Sequence, residues 1–491
     1  MEPSQPTSLS NPPREPSTPS TPLGASLATN LANYTLRNPR SLRAYNDSCQ
    51  HLPGGNTRTT LHSSPFPMTF ASGASCTLTT LDGDTYTDFL GEYTAGIYGH
   101  NHPIIHAAIT SALDRGWNFG GTNAYEKQLA RLVCERFAPA IETVRFTNSG
   151  TEANTCALAA AIAYTRRDRV LVFRGAYHGS TLAFPASTHS PDSKSPRTLN
   201  LPHHFLLAPY NDIPTTRALL AAQPPHTLAA ILVEPMLGSG GAIPGDPPFL
   251  RFLRAAATES GALLIFDEVM TSRLGYRGLG HKLGIRPDLM TLGKWVGGGM
   301  SFGAFGGRRE IMAMFDPRSG VLSHAGTFNN NVVSMSAGVA GLGVLDEEVL
   351  DRLNALGERM RGLVEGVLRK HGVVREEGVA SPSDDDKEAN GAVPNGNIHH
   401  HHLLLLEDDR RRPKMYITGL GSLMHIHFAG PDRDVLQALF FHHMLEENIY
   451  LPQRGFIALS IEIRLRHVEG FVAALERFVV RFGRALVFEG E

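Results

Sequence analysis

Residues 262–269 read ALLIFDEV: five apolar residues, Ala262 to Phe266, then two carboxylates, Asp267 and Glu268. So short an apolar run, with Ser260-Gly261 before it, reads as a strand buried on both faces, the kind a parallel sheet contains. The same grammar extends outward. VRFTNSG (144–150) leads into the Ala-rich TEANTCALAAAIAYT (151–165), and RVLVFRG (169–175), AAILVEP (229–235) and FLRAAATES (252–260) follow. Short β-branched runs alternating with helical ones predict an α/β fold with helices covering a mostly parallel sheet. From about residue 346 the pattern changes to a long helix (DEEVLDRLNALGERMRGLVEGVLRK), strands near YITGLGSLMHIHF, and helices near QALFFHHMLEEN and VEGFVAALERFVVRF, which predicts a smaller α+β C-terminal domain.

The expected organisation is a Pro/Ser-rich disordered arm over residues 1–30, an N-terminal segment over 31–84, a large domain over 85–345 and a small domain over 346–491. A low-complexity insertion at about 379–414 carries acidic, histidine, leucine and basic blocks in succession. No internal repeat is evident. With 45 Lys and Arg against 47 Asp and Glu, the chain has no electrostatic reason to seek nucleic acid or an anionic membrane, so small molecules are the expected ligands. No apolar run approaches the roughly 20 residues that span a bilayer. The N-terminus lacks the continuous apolar stretch of a signal peptide, and Glu2 and Glu15 make it a poor transit peptide. The four cysteines, Cys49, Cys76, Cys134 and Cys156, form no CxxC pair, which argues against zinc and against a disulfide framework. Cytoplasm is the expected location. His399 to His402 lie in a polar tract and read as solvated, while His100 with His102 and His442 with His443 lack the spacing and third ligand of a metal site; no metal is expected.

Three segments carry chemistry. Thr147-Asn148-Ser149-Gly150-Thr151 follows a strand and opens a helix. Its free amides and positive dipole end suit a phosphate, with the Ser149 and Thr151 hydroxyls as further donors; on this segment alone, simple N-capping by Ser or Thr is the favoured alternative. A carboxylate at the end of the 262–269 strand could keep a heteroaromatic nitrogen protonated, or could be a metal ligand or helix cap. Lys294, in Thr291-Leu292-Gly293-Lys294-Trp295-Val296-Gly297-Gly298-Gly299, stands between apolar residues and glycines, where desolvation would free its amine to attack a carbonyl.

The motifs NSGTEA (148–153), YHG (177–179), LVEPM (232–236), LLIFDEVMTSR (263–273), TLGKWVGGG (291–299) and GTFNNN (326–331), in that order, resemble the class III aminotransferases. The resemblance covers about residues 35–375 and 415–480. It implies the fold of type I enzymes of pyridoxal 5'-phosphate (PLP), whose large domain holds a seven-stranded, mostly parallel sheet. Lys294 then matches the Schiff-base lysine that also shuttles the substrate proton, and Asp267 matches the acid that pairs with the pyridinium nitrogen. Ser149, Gly150 and Thr151 match the phosphate cradle, and Tyr177 the aromatic that stacks on the ring. Thr327 matches a threonine that reaches the phosphate of the neighbouring subunit, which implies a homodimer with shared active sites.

Within the class, FLGEYTAGIYGHNHP (89–103), GGGMSFGAFGGR (297–308) and HAGTFNNNV (324–332) are similar to bacterial β-phenylalanine aminotransferases, and more distantly to glutamate-1-semialdehyde 2,1-aminomutases. Arg58 and Arg454 match two arginines that bind substrate carboxylates, since a guanidinium fork donates two parallel hydrogen bonds. The resemblance thus implies transfer of an amino group from an aromatic β-amino acid to an α-keto acid such as 2-oxoglutarate. An intramolecular aminomutase reaction, or another donor in secondary metabolism, are the alternatives. The arm, the insertion and Ser460-Ile461-Glu462-Ile463-Arg464 depart from the pattern and bear on substrate identity more than on cofactor chemistry.

Overall fold

The computed structural model describes residues 21–185, 199–200, 203–374 and 413–487. Three antiparallel strands, β1 (Phe70–Ala74), β2 (Thr77–Thr80) and β3 (Thr85–Asp88), precede the large sheet. The sheet is built from β4 (Thr143–Thr147), β5 (Arg169–Phe173), β6 (His204–Ala208) and β7 (Leu228–Val233). A short hairpin of β8 (Met236–Leu237) and β9 (Ile243–Pro244) intervenes before β10 (Leu263–Asp267), β11 (Leu289–Gly293) and β12 (Gly303–Gly307). The order across the seven-stranded sheet is β4-β12-β11-β10-β7-β5-β6, and β12 alone runs antiparallel to its neighbours. The predicted mostly parallel α/β sheet is therefore present. Its central strands β7, β10 and β11 are buried at every residue, as their unbroken apolar sequences require once helices cover both faces. One face packs on the helix Gly150–Thr165 and the other on the helix Pro247–Ser260.

The C-terminal part places β13 (Met415–Leu420), β14 (Leu423–Phe428) and β16 (Phe456–Ala458) in one antiparallel sheet, while β15 (Ile449–Tyr450) joins β3 in parallel. The helix Leu465–Leu486 buries Val468, Phe471, Leu475, Phe478, Phe482 and Leu486, spaced three to four apart along one stripe. The apolar cluster holding Phe471 also contains Phe89 and Trp295, so it crosses the boundary drawn at residue 345.

The arm ends earlier than residue 30. A helix spans Pro22–Arg37, with the Thr21 hydroxyl accepting from Gly24 N and proline at the first helical position, where its missing N–H is no loss. Leu23 and Leu27 pack on the core, and the Tyr34 hydroxyl donates to Phe66 O over 2.8 Å. Residues 1–20 of the arm, and the insertion up to residue 412 with His399 to His402, lie outside the described residues.

On β14, His427 stacks on Tyr416 at 4.6 Å and its Nε2 lies 2.7 Å from the Thr418 hydroxyl and 3.1 Å from Gly241 O. Burial pushes its imidazole from 6.5 down to about 4. The folded chain therefore binds this proton less readily than the unfolded chain, so the contribution to stability is intact above about pH 6.5 and is lost as pH falls toward 4. The whole loss is at most about 3.5 kcal/mol, at roughly 1.4 kcal/mol for each pH unit between the two values. Thermal melting between about pH 7.5 and about pH 5 should accordingly drop less in His427→Gln than in the parent; equal drops would show that this imidazole is not what acid attacks.

Candidate active site

The C-terminal edge of the parallel strands collects the predicted groups. The turn after β5 carries Tyr177, Glu234 directly follows β7, Asp267 ends β10 and Lys294 directly follows β11. Parallel strands deliver such residues to one edge of the sheet, where α/β proteins bind ligands. Registers Phe266↔Val233 and Asp267↔Thr291 set Glu234 and Lys294 on either side of Asp267. Lys294 has φ +54°, a left-handed conformation that sharply turns the chain out of the strand. Desolvation lowers its ammonium pKa, Asp267 and Glu234 oppose the shift, and the nearby Arg454 charge adds to it.

Asp267 is held on both oxygens. Oδ1 accepts from Val269 N at 3.0 Å, while Oδ2 meets Asn154 Nδ2 and His178 Nδ1, each at 2.8 Å. Asn154 is fixed in turn by the Thr291 hydroxyl, which donates to its Oδ1 at 2.7 Å. With Nδ1 spent on Asp267, His178 Nε2 is buried without a hydrogen-bond partner among the described residues. Glu234 accepts from Tyr177 N and from Gly238 N, both at 2.9 Å. Burial raises its carboxyl to about 7, with the negative Asp267 adding and His178 opposing. The second strand-end acid, Glu268, realises the helix-cap alternative: it accepts from Leu279 N at 2.7 Å, Gly280 N at 2.8 Å and the Thr271 hydroxyl at 3.1 Å.

The helix Gly150–Thr165 begins beside these acids. Ser149 is its N-cap, the side chain accepting from Glu152 N at 3.2 Å, so the capping reading holds for this oxygen, while its O–H remains a donor. The Gly150 and Thr151 amides have no hydrogen bond among the described residues and lie at the helix tip. A Cβ on Gly150 would stand 2.9 Å from Val269, and one on Gly179 would stand 2.4 Å from the Thr151 hydroxyl. The cradle, the strand-end acid and the Tyr177-His178-Gly179 turn thus close on one another with no room for added atoms. Tyr177 itself is 45% exposed, a ring left open to a ligand.

Arg454 reaches this edge from the turn before β16. Its guanidinium lies 4.9 Å over the Tyr93 ring and 5.8 Å over Phe456, and NH1 donates to the Ser239 hydroxyl at 3.3 Å. Its Nε is buried without a partner, and no carboxylate pairs with it among the described residues. Desolvation lowers its pKa. Arg58 is exposed, and its charge acts on Tyr450. Thr327 is also exposed; Asn329 from its loop accepts from Asn148 Nδ2 at 3.0 Å, just before the cradle. The structure therefore brings Lys294, Asp267, Gly150, Thr151, Tyr177 and Arg454 together, and leaves Arg58 and Thr327 at the periphery.

Tyr93 sits in an unusual turn: Gly91, Glu92, Tyr93 and Thr94 have φ of 53, 47, 53 and 85°, left-handed four times in succession. For the non-glycine residues this costs on the order of 1 kcal/mol each. Sequence reasoning missed Tyr93, Glu234, His178 and Asn154. Glu234 carries the same strand-end signal as Asp267; the others have no sequence signal of their own. The histidine pairs have structural roles: His100 Nε2 meets Asp88 at 2.9 Å, and His442 and His443 meet Ser64 O and Ala474 O. Among the described residues no group of three or more His, Cys, Asp or Glu could hold a metal, and no helix is long and apolar enough to cross a membrane.

Known proteins share this arrangement of elements. The profile of the family Aminotransferase class-III matches residues 60–380. The chain is similar to a β-phenylalanine transaminase of Variovorax paradoxus, 44% identical over 471 residues that cover 94% of this chain and 97% of the relative. It is also similar to a glutamate-1-semialdehyde 2,1-aminomutase of Methanosarcina acetivorans, 34% identical over 85% of this chain and 92% of the relative. The crystal structure of a β-phenylalanine aminotransferase from Variovorax paradoxus superposes with a TM-score of 0.82 and 42% identity, over 95% of this chain and 100% of that one. The chain belongs to the class III aminotransferases and is a transaminase.

Proposed function

We propose that this transaminase takes its amino group from a β-amino acid, an aromatic one in the first instance, and delivers it to an α-keto acid such as 2-oxoglutarate. Class III aminotransferases depend on PLP, and the residues here fit that group: a helix tip with two free amides for a phosphate, a buried carboxylate for a ring nitrogen, an open tyrosine ring and a desolvated lysine. PLP, when bound, supplies an electron sink for the carbon that carries the amine. Lys294 Nζ, with its proton loosely held, would anchor the cofactor and act as the base for the proton on that carbon. Asp267, pinned by Asn154 and His178, would face the ring nitrogen. Ser149, Gly150 and Thr151 hold the phosphate and Tyr177 covers the ring. The exposed Thr327, followed directly by the exposed Phe328, supports completion of the site by a second copy of the chain in a homodimer.

One observation carries the substrate reading: Arg454, a desolvated guanidinium without a carboxylate partner among the described residues, near enough to Lys294 to influence its proton. A half-buried guanidinium that no acid neutralises is suited to receive a carboxylate. Arg58 serves as the second receptor, since donor and acceptor both carry carboxylates. An amino-donor screen with 2-oxoglutarate tests this. Arg454→Ala should lower kcat/KM for carboxylated substrates by about 100-fold while sparing simple amines, and Arg58→Ala should act in the same direction; equal loss for both classes would refute the carboxylate reading. The aminomutase relative favours one second reading, an intramolecular amino shift, which turnover without any keto acid would establish.

A further inference from the structure

The left-handed turn Gly91–Thr94 is built against β16. A Cβ on Gly91 would lie 2.5 Å from Ala458 O, so only glycine lets the turn approach, and Ala458 N donates to Phe89 O at 2.9 Å just before it. The turn carries Tyr93 onto Phe456, the rings stacked at 6.0 Å and 18°. Arg454 lies over both rings, and its charge is held by their faces rather than by an acid. At the other end of the same side chain, the Tyr93 hydroxyl donates to Thr60 O at 3.0 Å. Thr60 belongs to the turn Thr59–Leu61, which starts directly after Arg58 and whose Leu61 N donates to Arg58 O at 2.9 Å. One tyrosine therefore touches the carriers of both arginines, which stand 396 positions apart in the chain if counted from Arg58 to Arg454.

Resting on the carboxylate reading above, we infer that Tyr93 is a positioning residue for substrate carboxylates: its ring fixes the Arg454 guanidinium and its hydroxyl fixes the turn that carries Arg58. A bare guanidinium samples many rotamers, and a carboxylate that binds it must first collect them into one; the ring does this in advance. An acid in the same place would occupy the guanidinium and compete with the substrate. A π face holds the charge and leaves Nε–H and the other donors not spent on Ser239 free for a ligand. The backbone strain of the turn is consistent with a conformation maintained for the side chain it presents.

The two roles separate by substitution. Tyr93→Phe keeps the ring and removes the tether to Thr60; Tyr93→Leu removes both. The holoenzyme variants are assayed with β-phenylalanine as donor and 2-oxoglutarate as acceptor, with KM and kcat determined for each. Tyr93→Phe should raise the KM of one of the two substrates, the one Arg58 serves, by about fivefold. Tyr93→Leu should raise both, by about tenfold for the substrate that Arg454 serves, with kcat at saturation within about twofold of the parent. A fall in kcat with unchanged KM would mark Tyr93 as a structural residue only and overturn the inference. Unchanged constants in both variants, while Arg454→Ala raises KM, would overturn it and leave the carboxylate reading standing. Unchanged KM in Arg454→Ala and Arg58→Ala as well, or a parent enzyme that turns over neither substrate, would overturn both together. If Tyr93→Leu does not fold, Tyr93→Phe still decides, because it retains the ring that packs on Phe456.

Discussion

Lys294→Ala is expected to abolish transamination, with kcat falling by at least about 10,000-fold and the visible absorbance of the lysine-bound cofactor disappearing. Both losses trace to one atom. Lys294 Nζ stands at the sheet edge among Asp267, Glu234 and Arg454, and burial keeps its proton loosely held. Among the described residues no other lysine follows a central strand of the sheet: Lys127 and Lys282 lie on helices, Lys370 pairs with Glu476 on the surface, and Lys414 directly precedes β13. The protein should remain folded, since an alanine here removes a polar head and leaves the apolar neighbours Trp295 and Val296 in place. Melting within a few degrees of the parent, together with the lost absorbance, would separate a chemical defect from an unfolded one.

Asp267→Asn is expected to lower kcat/KM by about 100- to 1,000-fold, because a neutral amide cannot stabilise a protonated ring nitrogen as a buried carboxylate does. It should also destabilise the fold. Three donors converge on Asp267, from Val269 N, Asn154 Nδ2 and His178 Nδ1, and an amide offers one acceptor oxygen where the carboxylate offers two. At least one buried donor is left facing an N–H, at a cost of about 1 to 3 kcal/mol. Weaker cofactor affinity measured by titration of the apoprotein, combined with a lowered Tm, is the expected signature. Full affinity for the cofactor would show that Asp267 has a purely structural role.

The sheet was legible because its residues obey a local rule. Ala262 to Phe266 and Leu228 to Val233 are continuous apolar runs, and such runs are tolerated only where helices cover both faces. Asp267 and Lys294 were legible because order along the chain substitutes for geometry when each follows a strand. Glu234 follows a strand too, but its bond from Tyr177 N and the repulsion it feels from Asp267 depend on β5 and β10 flanking β7, a pairing that no local pattern encodes. His178 and Asn154 were invisible for the same reason: each acts through an acid about 90 and 113 positions away. The Ser, Thr and Pro that dominate upstream extend the expected arm over residues 22–30, yet Thr21 and Pro22 are start signals for the helix that follows. Tyr93 was hidden most deeply, since left-handed φ at three non-glycine residues in a row is imposed by β16 and has no signature in Glu-Tyr-Thr.

Arg58 and Thr327 mark the other limit. Both carry a role by resemblance, and both are exposed in the single chain, where a ligand or a second copy would have to give them a partner. Arg454 differs because the single chain already gives it definite surroundings: two aromatic faces, a serine hydroxyl and an unspent Nε.

Lys294 is proposed as the covalent anchor of the cofactor. Borohydride reduction of the PLP-loaded protein makes that bond permanent, and peptide mass spectrometry then locates it. A phosphopyridoxyl group is expected on the peptide containing Thr291-Leu292-Gly293-Lys294-Trp295 and on no other; a label on a different lysine, or none at all, would contradict this role.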